Sequence, residues 1–367
     1  MVRSRETETV VNDKYKDFDF CTIEHQNSDD IEFCISQIQY FEERSYEKVN
    51  FHGVKGRLSK HVKFWEEIGA NSFVIDTIRD GYIIPFIDTP KSMRLENNRS
   101  ALKNYEFLTK SINELLTSGS IVEVPFQPHI VSPLSVATQK SGKKRLILDL
   151  SLLNKSIRKD KIKFEDWKTV IQYFQKDAYL YKFDLSSGYF HIHICPQQHI
   201  FLGFAWQENF YCFTLLVFGI YTGPCIFTKC LRPLIKYWRE NGINVVLYLD
   251  HGFGMCLDKK QCIYESKCVK QSLIDADFLI NEEKSVFDPV QCLGIIWNST
   301  EFCLQISDRR ISDLISNFSW VLNEFPHISA RTLAQVTGKV ISISPVVGNV
   351  TRIMTKTCYI AIESRFT

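Results

Sequence analysis

The chain has 367 residues, of which 45% are hydrophobic, 13% aromatic and 23% charged. This composition is that of an ordinary globular protein, and the length allows about two or three compact units. The formal net charge of +2 excludes a chain that is basic throughout, so any nucleic-acid-binding surface must be local. No signal-peptide-like segment begins the chain, and no apolar run approaches the roughly eighteen residues of a membrane span. We therefore expect a protein that is neither secreted nor membrane-spanning.

Twelve cysteines are spread along the chain, and no two of them have the C-x-x-C spacing of a zinc site. Most of them lie within apolar runs, where a free cysteine behaves as a small hydrophobic residue. We expect reduced thiols in an intracellular protein rather than disulfides or zinc ligands.

The N-terminal region divides into two parts. Residues 1–50 mix charged and aromatic side chains without a regular period, which predicts a loosely ordered leader. Residues 51–119 are predicted to form a helical extension. Its first helix covers residues 57–69, because apolar side chains recur there at helical spacing, namely Leu58, Val62, Trp65 and Ile68.

The rest of this extension contains one extended segment and a second helix. Residues 73–87 are predicted to be extended, with a break at Asp80-Gly81. A helix is predicted from Ser100 to Thr117, and Gly119 ends it.

A basic stretch follows the strands predicted at Ile121–Val124 and Leu134–Thr138. The residues from Lys140 to Lys168 include ten Lys or Arg and four Asp or Glu, with a strand beginning at Leu146. Such a run is typical of a solvated surface, but the nearby aromatic residues also fit nucleic-acid binding; they are Phe164, Trp167 and Tyr173. The sequence leaves both interpretations open.

The middle of the chain alternates strand-like and helix-like segments. This order predicts helices packed on one face of a mainly antiparallel sheet, an α+β fold. The predicted strands are Tyr179–Leu185, Phe190–Ile194 and Phe210–Val217, a hairpin within Asn244–Asp258, and segments around Leu293–Trp297 and Cys303–Ile306. The predicted helices are Thr228–Glu240 and Cys262–Ala276.

Two aspartates come at the ends of apolar strands. Asp184 ends one predicted strand, and Asp250 lies at the tip of the predicted hairpin. A carboxylate in such a place is costly unless water or a positive charge meets it. Together the two could hold divalent metal, as in phosphoryl transfer. His251, directly after Asp250, does not fit this scheme.

The C-terminal region is predicted to be a smaller, separate helical unit over residues 301–367. One amphipathic helix carries apolar residues between Ile311 and Leu322, and another starts at an N-cap, Ser329, and runs to Pro345.

Seven segments in order resemble the reverse transcriptases of LTR-class retroelements, most closely the DIRS-like elements, over residues 57–356. The segments are FVIDTIRDGYIIPF, SPLSVATQKSGKKRLILDLSLLN, YKFDLSSGYFHIHI, FGIYTGPCIFTKCLRPLIKYW, NVVLYLDHGFG, CLGIIW and LAQVTGKVISISPVVGNVTRIM. The resemblance implies a right-hand polymerase with fingers and palm over residues 120–300 and a helical thumb or connection over 301–367. It also implies an RNA or DNA template with primer, and dNTPs, as partners.

The same resemblance implies roles for individual residues. Asp184 matches the first palm aspartate and Asp250 the first aspartate of the YxDD box, which in the family hold two Mg²⁺ ions, with Mn²⁺ as a possible replacement. Tyr189 matches the aromatic residue that selects deoxynucleotides, although an ordinary buried aromatic residue would look the same. The other matched positions are Lys140 and Arg145 at the triphosphate, Phe218 and Gly219 in the loop beside the nucleotide, and Leu293 and Gly294 at the primer grip.

His191 and His193 would share one face of a strand and could be imagined as a metal pair. No third ligand occurs at a suitable spacing, so we interpret them as structural or surface histidines.

The sequence departs from the family at His251, where the box has a second aspartate. Loss of a carboxylate should weaken metal binding, because imidazole suits Zn²⁺, Mn²⁺ or Ni²⁺ better than Mg²⁺. We therefore expect an impaired polymerase; the alternative is a catalytically dead polymerase fold that still binds nucleic acid. The chain ends at Thr367, where relatives continue towards an RNase H domain, so we also expect a truncated copy. The oligomeric state stays open.

Overall fold

The computed structural model describes residues 55–139, 142–290, 292–293, 297–306, 308–324 and 327–364. The predicted leader over residues 1–50 lies outside these ranges, as do Lys140 and Gly294. The helices are α1 (Val62–Glu67), α2 (Ser72–Asp80), α3 (Arg99–Leu102), α4 (Tyr105–Thr117), α5 (Trp167–Tyr173), α6 (Gly223–Glu240), α7 (Lys259–Asp275), α8 (Asp308–Glu324), α9 (Ala330–Ile341), α10 (Ser344–Val347) and α11 (Val350–Glu363). Short 3₁₀ turns occur at Leu58–His61, Leu153–Ser156, Gly188–His191 and Pro196–Phe201.

The strands form a mixed α+β arrangement with these helices. They are β1 (Met93–Arg94), β2 (Ile121–Val124), β3 (Ile130–Val131), β4 (Leu134–Thr138), β5 (Lys144–Leu148), β6 (Tyr179–Asp184), β7 (Gly203–Trp206), β8 (Asn209–Phe213), β9 (Val245–Tyr248), β10 (His251–Cys256), β11 (Val286–Val290), β12 (Cys292–Leu293), β13 (Trp297–Asn298) and β14 (Cys303–Leu304). They make a five-stranded sheet in the order β1-β3-β7-β8-β2, the hairpin β4-β5, the small sheet β12-β13-β14, and a central sheet in the order β11-β6-β10-β9.

The central sheet is antiparallel and buried on both faces. Successive side chains of a strand point to opposite faces of the sheet. In β9, Val245 and Leu247 pack into the main core on one face, and Val246 packs into a second cluster, with Leu180 and Met255, on the other. On the first face lie α6 and α7, which are connected by a hydrogen bond from the indole of Trp238 to Ser272 (2.7 Å).

Two glycines of β10 allow aromatic rings of β6 to lie across the central sheet. A Cβ atom on Gly252 would overlap the ring of Phe183, and one on Gly254 would overlap the ring of Tyr181. The ring of Phe183 in turn contacts Trp238 of α6 edge-on, with centroids 5.9 Å apart. The two glycines therefore leave space for the aromatic rings on which α6 packs against the sheet.

Most predicted elements are present with shifted ends. Strands β2 and β4 have the predicted bounds, and the predicted hairpin forms as β9 and β10. The helix expected at Thr228 begins earlier, at Gly223, and the helix expected over Ser100–Thr117 is interrupted between α3 and α4. The serine predicted to cap α9 does so, since Ser329 Oγ accepts a hydrogen bond from the Thr332 N–H group (3.1 Å).

The prediction of an extended segment over residues 73–87 is wrong for its first part, which forms α2. Asn71 caps this helix by accepting a hydrogen bond from the Val74 N–H group (3.0 Å), and Gly81 ends it with φ +96°. The buried face of this helix consists of β-branched residues, whose packing overrides their low intrinsic helix preference; they are Val74, Ile75, Thr77 and Ile78.

The strand predicted over Phe190–Ile194 is wrong for its first part, because Gly188–His191 forms a 3₁₀ turn. His193 and Ile194 form isolated β-bridges, with Leu215 and Tyr82 respectively. Ser187 starts the turn with φ +56°, in the left-handed region, and the chain cannot extend as a strand through it. The strand predicted over Phe210–Val217 ends earlier, at Phe213.

Candidate active site

The site forms where β6 and β10 pair. The register of the two strands places His251 opposite Asp184, and the N–H group of Leu185 donates to the carbonyl of Asp250 (2.8 Å). The turn from β9 to β10 has two residues, and the first, Leu249, has φ +54°. A leucine in this region costs roughly 1 kcal/mol or more, a strain that is typical of functional turns. Local backbone geometry thus presents the two aspartates side by side.

The three polar side chains at this point lie in contact. His251 Nδ1 is 3.2 Å from Asp184 Oδ2 and 3.1 Å from Asp250 Oδ1. One possible metal-ligand atom from each of the three residues lies within 4.8 Å of the other two. Among the described residues, no other group of three or more His, Cys, Asp or Glu side chains meets this criterion. The Asp184 side chain is only 10% exposed, whereas His251 is 64% exposed. The cluster is therefore anchored in the sheet and open on one side.

Lys284 adds a positive charge to the cluster. Its Nζ atom is 3.4 Å from Asp184 Oδ1, on the carboxylate oxygen that does not face His251. The neighbouring Ser285 accepts a hydrogen bond from the Asp184 N–H group (3.1 Å), and Asn281 N–H donates to the Asp184 carbonyl (2.9 Å). Sequence reasoning missed these residues, since the contact of Lys284 with Asp184 spans 100 positions.

Electrostatics couple the three residues. The pKa of His251 is raised, because Asp250 accepts a hydrogen bond from its ring and both aspartates are negative, against the opposing effect of burial. Burial opposes ionisation of Asp250, but the hydrogen bond and charge of His251, together with Lys284, lower the pKa of this carboxyl group. The cluster therefore favours an ionised Asp250 beside a protonated ring in the absence of metal.

Tyr189 lies directly beside this cluster. Its ring is buried and stacks on Phe218, with centroids 4.7 Å apart and planes 23° apart. Burial and the negative charge of Asp250 raise the pKa of Tyr189 to about 12. A Cβ atom on the preceding Gly188 would lie 3.0 Å from Phe227 and 3.3 Å from Asp250, so this glycine allows the tyrosine turn to approach the aspartate.

The loop that contains Phe218 and Gly219 is held by Asn154. The Asn154 side chain donates to the Gly219 carbonyl (2.8 Å) and accepts from the Tyr221 N–H group (2.8 Å). Gly219 has φ +101°, which favours glycine. Asn154 thus supplies a restraint on this loop that sequence reasoning missed.

The remaining predicted positions lie apart from the carboxylates or outside the described residues. Arg145 is exposed on β5 and pairs with Ala137, on the face opposite to buried Val136 and Leu148. Leu293 forms part of β12, which lies beside β6. The triphosphate and primer roles of these residues stay predictions.

The two histidines of the predicted strand do not form a metal pair. His191 is buried, donates from Nδ1 to the Gly188 carbonyl (3.1 Å) and accepts at Nε2 from the Leu279 N–H group (2.9 Å). Burial lowers the pKa of His191 to about 4, so the ring is a neutral structural element. His193 lies outside any strand, and its carbonyl accepts a hydrogen bond from Tyr82 (2.8 Å).

Several cysteines at the described positions contribute to the core. Four of those whose side chains are placed are buried: Cys212, Cys225, Cys230 and Cys262. Across the described part of the chain, no helix is both long enough and apolar enough to cross a membrane.

Comparison with protein families matches residues 134–297 to the family described as reverse transcriptase (RNA-dependent DNA polymerase). This segment of the chain resembles a reverse transcriptase domain. The matched range includes the pairing of β6 with β10 and therefore the whole Asp184, Asp250 and His251 cluster.

Similar sequences are found in retroelement polyproteins. The Pro-Pol polyprotein of simian foamy virus type 3 is 26% identical over 175 residues, which is 47% of this chain and 15% of that protein. The transposon Tf2-3 polyprotein of Schizosaccharomyces pombe is 24% identical over 213 residues, 56% of this chain and 16% of the polyprotein. The chain thus spans about one sixth of the length of these relatives.

Solved structures with a similar fold include those of viral reverse transcriptases. A foamy viral protease–reverse transcriptase in complex with RNA/DNA hybrid has a TM-score of 0.59 and 16% identity, covering 89% of this chain and 43% of that chain. A related structure in complex with double-stranded DNA has a TM-score of 0.57 and 17% identity, and the match covers 89% of this chain and 56% of that chain. The predicted α+β fold, a right-hand polymerase, is confirmed by this likeness.

Proposed function

We propose that this domain is an RNA-directed DNA polymerase of a retroelement, which extends a primer with dNTPs and is impaired by His251. The observation that carries the proposal is the meeting of Asp184, Asp250 and His251 at the junction of β6 and β10, with ligand atoms within 4.8 Å of one another. The motifs favour a DIRS-like element as the source, and such a polymerase would work inside the cell, in cytoplasm or nucleus.

The donor atoms of this cluster fit a divalent metal ion. Two carboxylate oxygens and one imidazole nitrogen are all ordinary metal ligands. When bound, metal would stabilise the charge that develops as the primer hydroxyl attacks the triphosphate. Asp184 is the best-placed ligand, because backbone hydrogen bonds on both sides of its Cα atom fix its position in β6.

The nucleotide would bind beside Tyr189 and Phe218. Tyr189 is held by its stacking on Phe218 and by contact with Phe227 (5.1 Å between centroids), so a ribose 2′-hydroxyl would meet a rigid ring. Phe218 is 60% exposed and offers an aromatic surface next to the carboxylates. Arg145 on β5, together with Lys140, would contact the triphosphate, where lysine gives a point charge and arginine a planar fork.

The proposed partner is a primer–template duplex of RNA or DNA. The foamy viral relatives were solved with RNA/DNA hybrid and double-stranded DNA. In this chain, basic residues concentrate between Lys155 and Lys168, and Lys159 lies 5.7 Å over the exposed ring of Tyr221. A positive surface with aromatic rings suits single-stranded template. Leu293 and Gly294 would contact the primer end, and the helices α8 to α11 would form the thumb.

A second candidate function is binding of nucleic acid without chemistry. It is favoured by one observation, that His251 and Lys284 contact the aspartates and supply positive charge where the family places metal. Only the polymerase candidate predicts nucleotide addition, whereas both candidates predict binding of the duplex.

Primer extension on poly(rA)/oligo(dT) tests the polymerase proposal. The native chain, His251→Asp and Asp184→Asn are compared in Mg²⁺ and in Mn²⁺, and duplex binding by each is measured by mobility shift. We expect slow extension by the native chain, faster extension by His251→Asp and none by Asp184→Asn. Duplex binding by all three without extension by any would overturn the polymerase proposal and support the binding function.

A further inference from the structure

We propose that the site prefers a single transition-metal ion, such as Mn²⁺ or Co²⁺, over the pair of Mg²⁺ ions that the fold implies. The inference rests on the proposed function only for the location of the metal site, because metal binding is measurable without nucleic acid. It concerns which ion Asp184, Asp250 and His251 select and how many.

The first argument is the chemistry of the donors. Mg²⁺ prefers oxygen ligands in near-octahedral geometry and retains several waters, whereas imidazole nitrogen suits Mn²⁺, Co²⁺ and Zn²⁺ better. Replacement of a carboxylate by His251 also removes one negative charge that would attract a hard cation. Both effects weaken Mg²⁺ binding more than binding of a transition metal.

The second argument is the spacing of the donors. His251 Nδ1 lies 3.1 Å from Asp250 Oδ1 and 3.2 Å from Asp184 Oδ2. Neighbouring ligands on one ion with bonds of about 2.1 Å lie about 3.0 Å apart in an octahedron and about 3.4 Å apart in a tetrahedron. Both distances from His251 fall between these values, and the three ligand atoms lie within 4.8 Å of one another. His251 therefore needs little rearrangement to share one ion with either aspartate, once Nδ1 has no proton.

The third argument concerns the number of ions. Asp184 uses Oδ2 towards His251, and its Oδ1 atom is 3.4 Å from Lys284 Nζ. The ammonium group supplies positive charge at the oxygen that a second ion would need. Two carboxylates also balance the charge of one divalent ion, and a second ion would be left without compensation. The arrangement thus favours one ion.

The competing interpretation is that His251 simply holds the two carboxylates together by hydrogen bonds. In that arrangement the ring competes with metal of every kind, and Mn²⁺ would gain no advantage over Mg²⁺. Direct binding measurements separate the two, since only coordination by the ring places nitrogen on the ion.

The experiment is titration of the full chain with Mn²⁺ and with Mg²⁺ by calorimetry at pH 8, without nucleic acid. Pulsed paramagnetic resonance of the Mn²⁺ complex then detects a ligand nitrogen. His251→Asp is the test variant, and His327→Asp, at an exposed position before α9, is the matched control. We expect one Mn²⁺ per native chain, bound about tenfold or more tightly than Mg²⁺, with a nitrogen coupling.

In His251→Asp the preference for Mn²⁺ should fall about tenfold and the nitrogen coupling should vanish, while His327→Asp should match the native chain. Equal affinity of the native chain for the two ions, absence of the nitrogen coupling, or two Mn²⁺ ions per chain would overturn the inference. If the site prefers Mn²⁺ but no variant extends primer, the proposed function is refuted and the inference stands. If primer is extended but the site does not prefer Mn²⁺ over Mg²⁺, the inference is refuted and the proposed function stands.

Discussion

Arg239 and Glu165 form an ion pair of 2.7 Å along the open edge of the central sheet. The Glu165 carboxylate also accepts a hydrogen bond from the Leu247 N–H group (2.9 Å), and the Arg239 guanidinium donates to the Val245 carbonyl (2.8 Å). The two side chains thus bond the groups of β9 that another strand would pair with. Such protection prevents association through the edge and holds β9 in place before the turn to Asp250.

Arg239→Ala should destabilise the chain by about 1–3 kcal/mol, because it leaves the Val245 carbonyl and a half-buried carboxylate without their partner. The free energy of unfolding in urea measures this effect. Lys236→Ala, on the same helix, is the control. It breaks an exposed pair with Glu240 (3.6 Å) and should cost less than about 0.5 kcal/mol. Equal costs for the two variants would contradict a special role for the edge pair.

The sequence predicted the parts of the site that depend on local pattern. Asp184 and Asp250 were identifiable because each follows an apolar strand, and the pairing of β6 with β10 brings them together as expected. The departure at His251 was visible only through the resemblance to the family, whose box has a second aspartate at this position. The metal and nucleotide roles of these residues remain predictions for the experiments above.

The residues that the sequence did not predict all act over long separations. Lys284 meets Asp184 across 100 positions, Glu165 meets Leu247 across 82, and Asn154 meets Gly219 across 65. Each is a common polar residue in a loop or turn or near the start of a helix, and only the tertiary register of the chain gives it a partner. The errors at α2 and at the turn before His191 have another cause, since packing and a left-handed residue overrode local preference there.

Gly252→Ala should destabilise the chain by about 3 kcal/mol or more, because the new methyl group would overlap the Phe183 ring, which is packed beneath Trp238. Thermal unfolding followed by circular dichroism measures the loss. The matched control is Gly338→Ala in the interior of α9, where nothing lies within 4 Å of the added atom. That exchange should stabilise the helix by about 0.5–1 kcal/mol. Similar melting temperatures for the two variants would be inconsistent with this packing.

His191 should make folding sensitive to mild acid. Its folded pKa is about 4 and its ordinary value is 6.5, so the unfolded chain binds a proton more readily. The stability that neutral His191 contributes is complete above pH 6.5 and is lost as the pH falls towards 4. The loss is of the order of 3 kcal/mol.

Urea unfolding of the native chain and of His191→Gln between pH 7.5 and 4.5 isolates this effect, because carboxyl groups titrate alike in both proteins. Glutamine can both donate and accept, so the variant should retain part of the hydrogen bonding without the titration. The difference in stability between the two proteins should shrink or reverse as the pH falls. Parallel curves would show that His191 does not stay neutral.

Asn154 should control nucleotide binding through the loop of Phe218 and Gly219. Asn154→Ala removes both hydrogen bonds that hold this loop, to the Gly219 carbonyl and from the Tyr221 N–H group. In a His251→Asp background, which should extend primer, we expect KM for dNTP to rise about tenfold, as the loss of about 1–2 kcal/mol implies. The change in kcat should be smaller, because the carboxylates are untouched.

Asn154→Asp separates the two bonds, since a carboxylate still accepts from Tyr221 but cannot donate to Gly219. Its KM for dNTP should lie between those of the parent and Asn154→Ala, and all three should melt at similar temperatures because the loop is exposed. A fall in kcat with unchanged KM would mean that the loop positions reacting groups instead. An unchanged KM and kcat in Asn154→Ala would separate this loop from the nucleotide, and Tyr189 alone would then remain as the residue expected to sense the sugar.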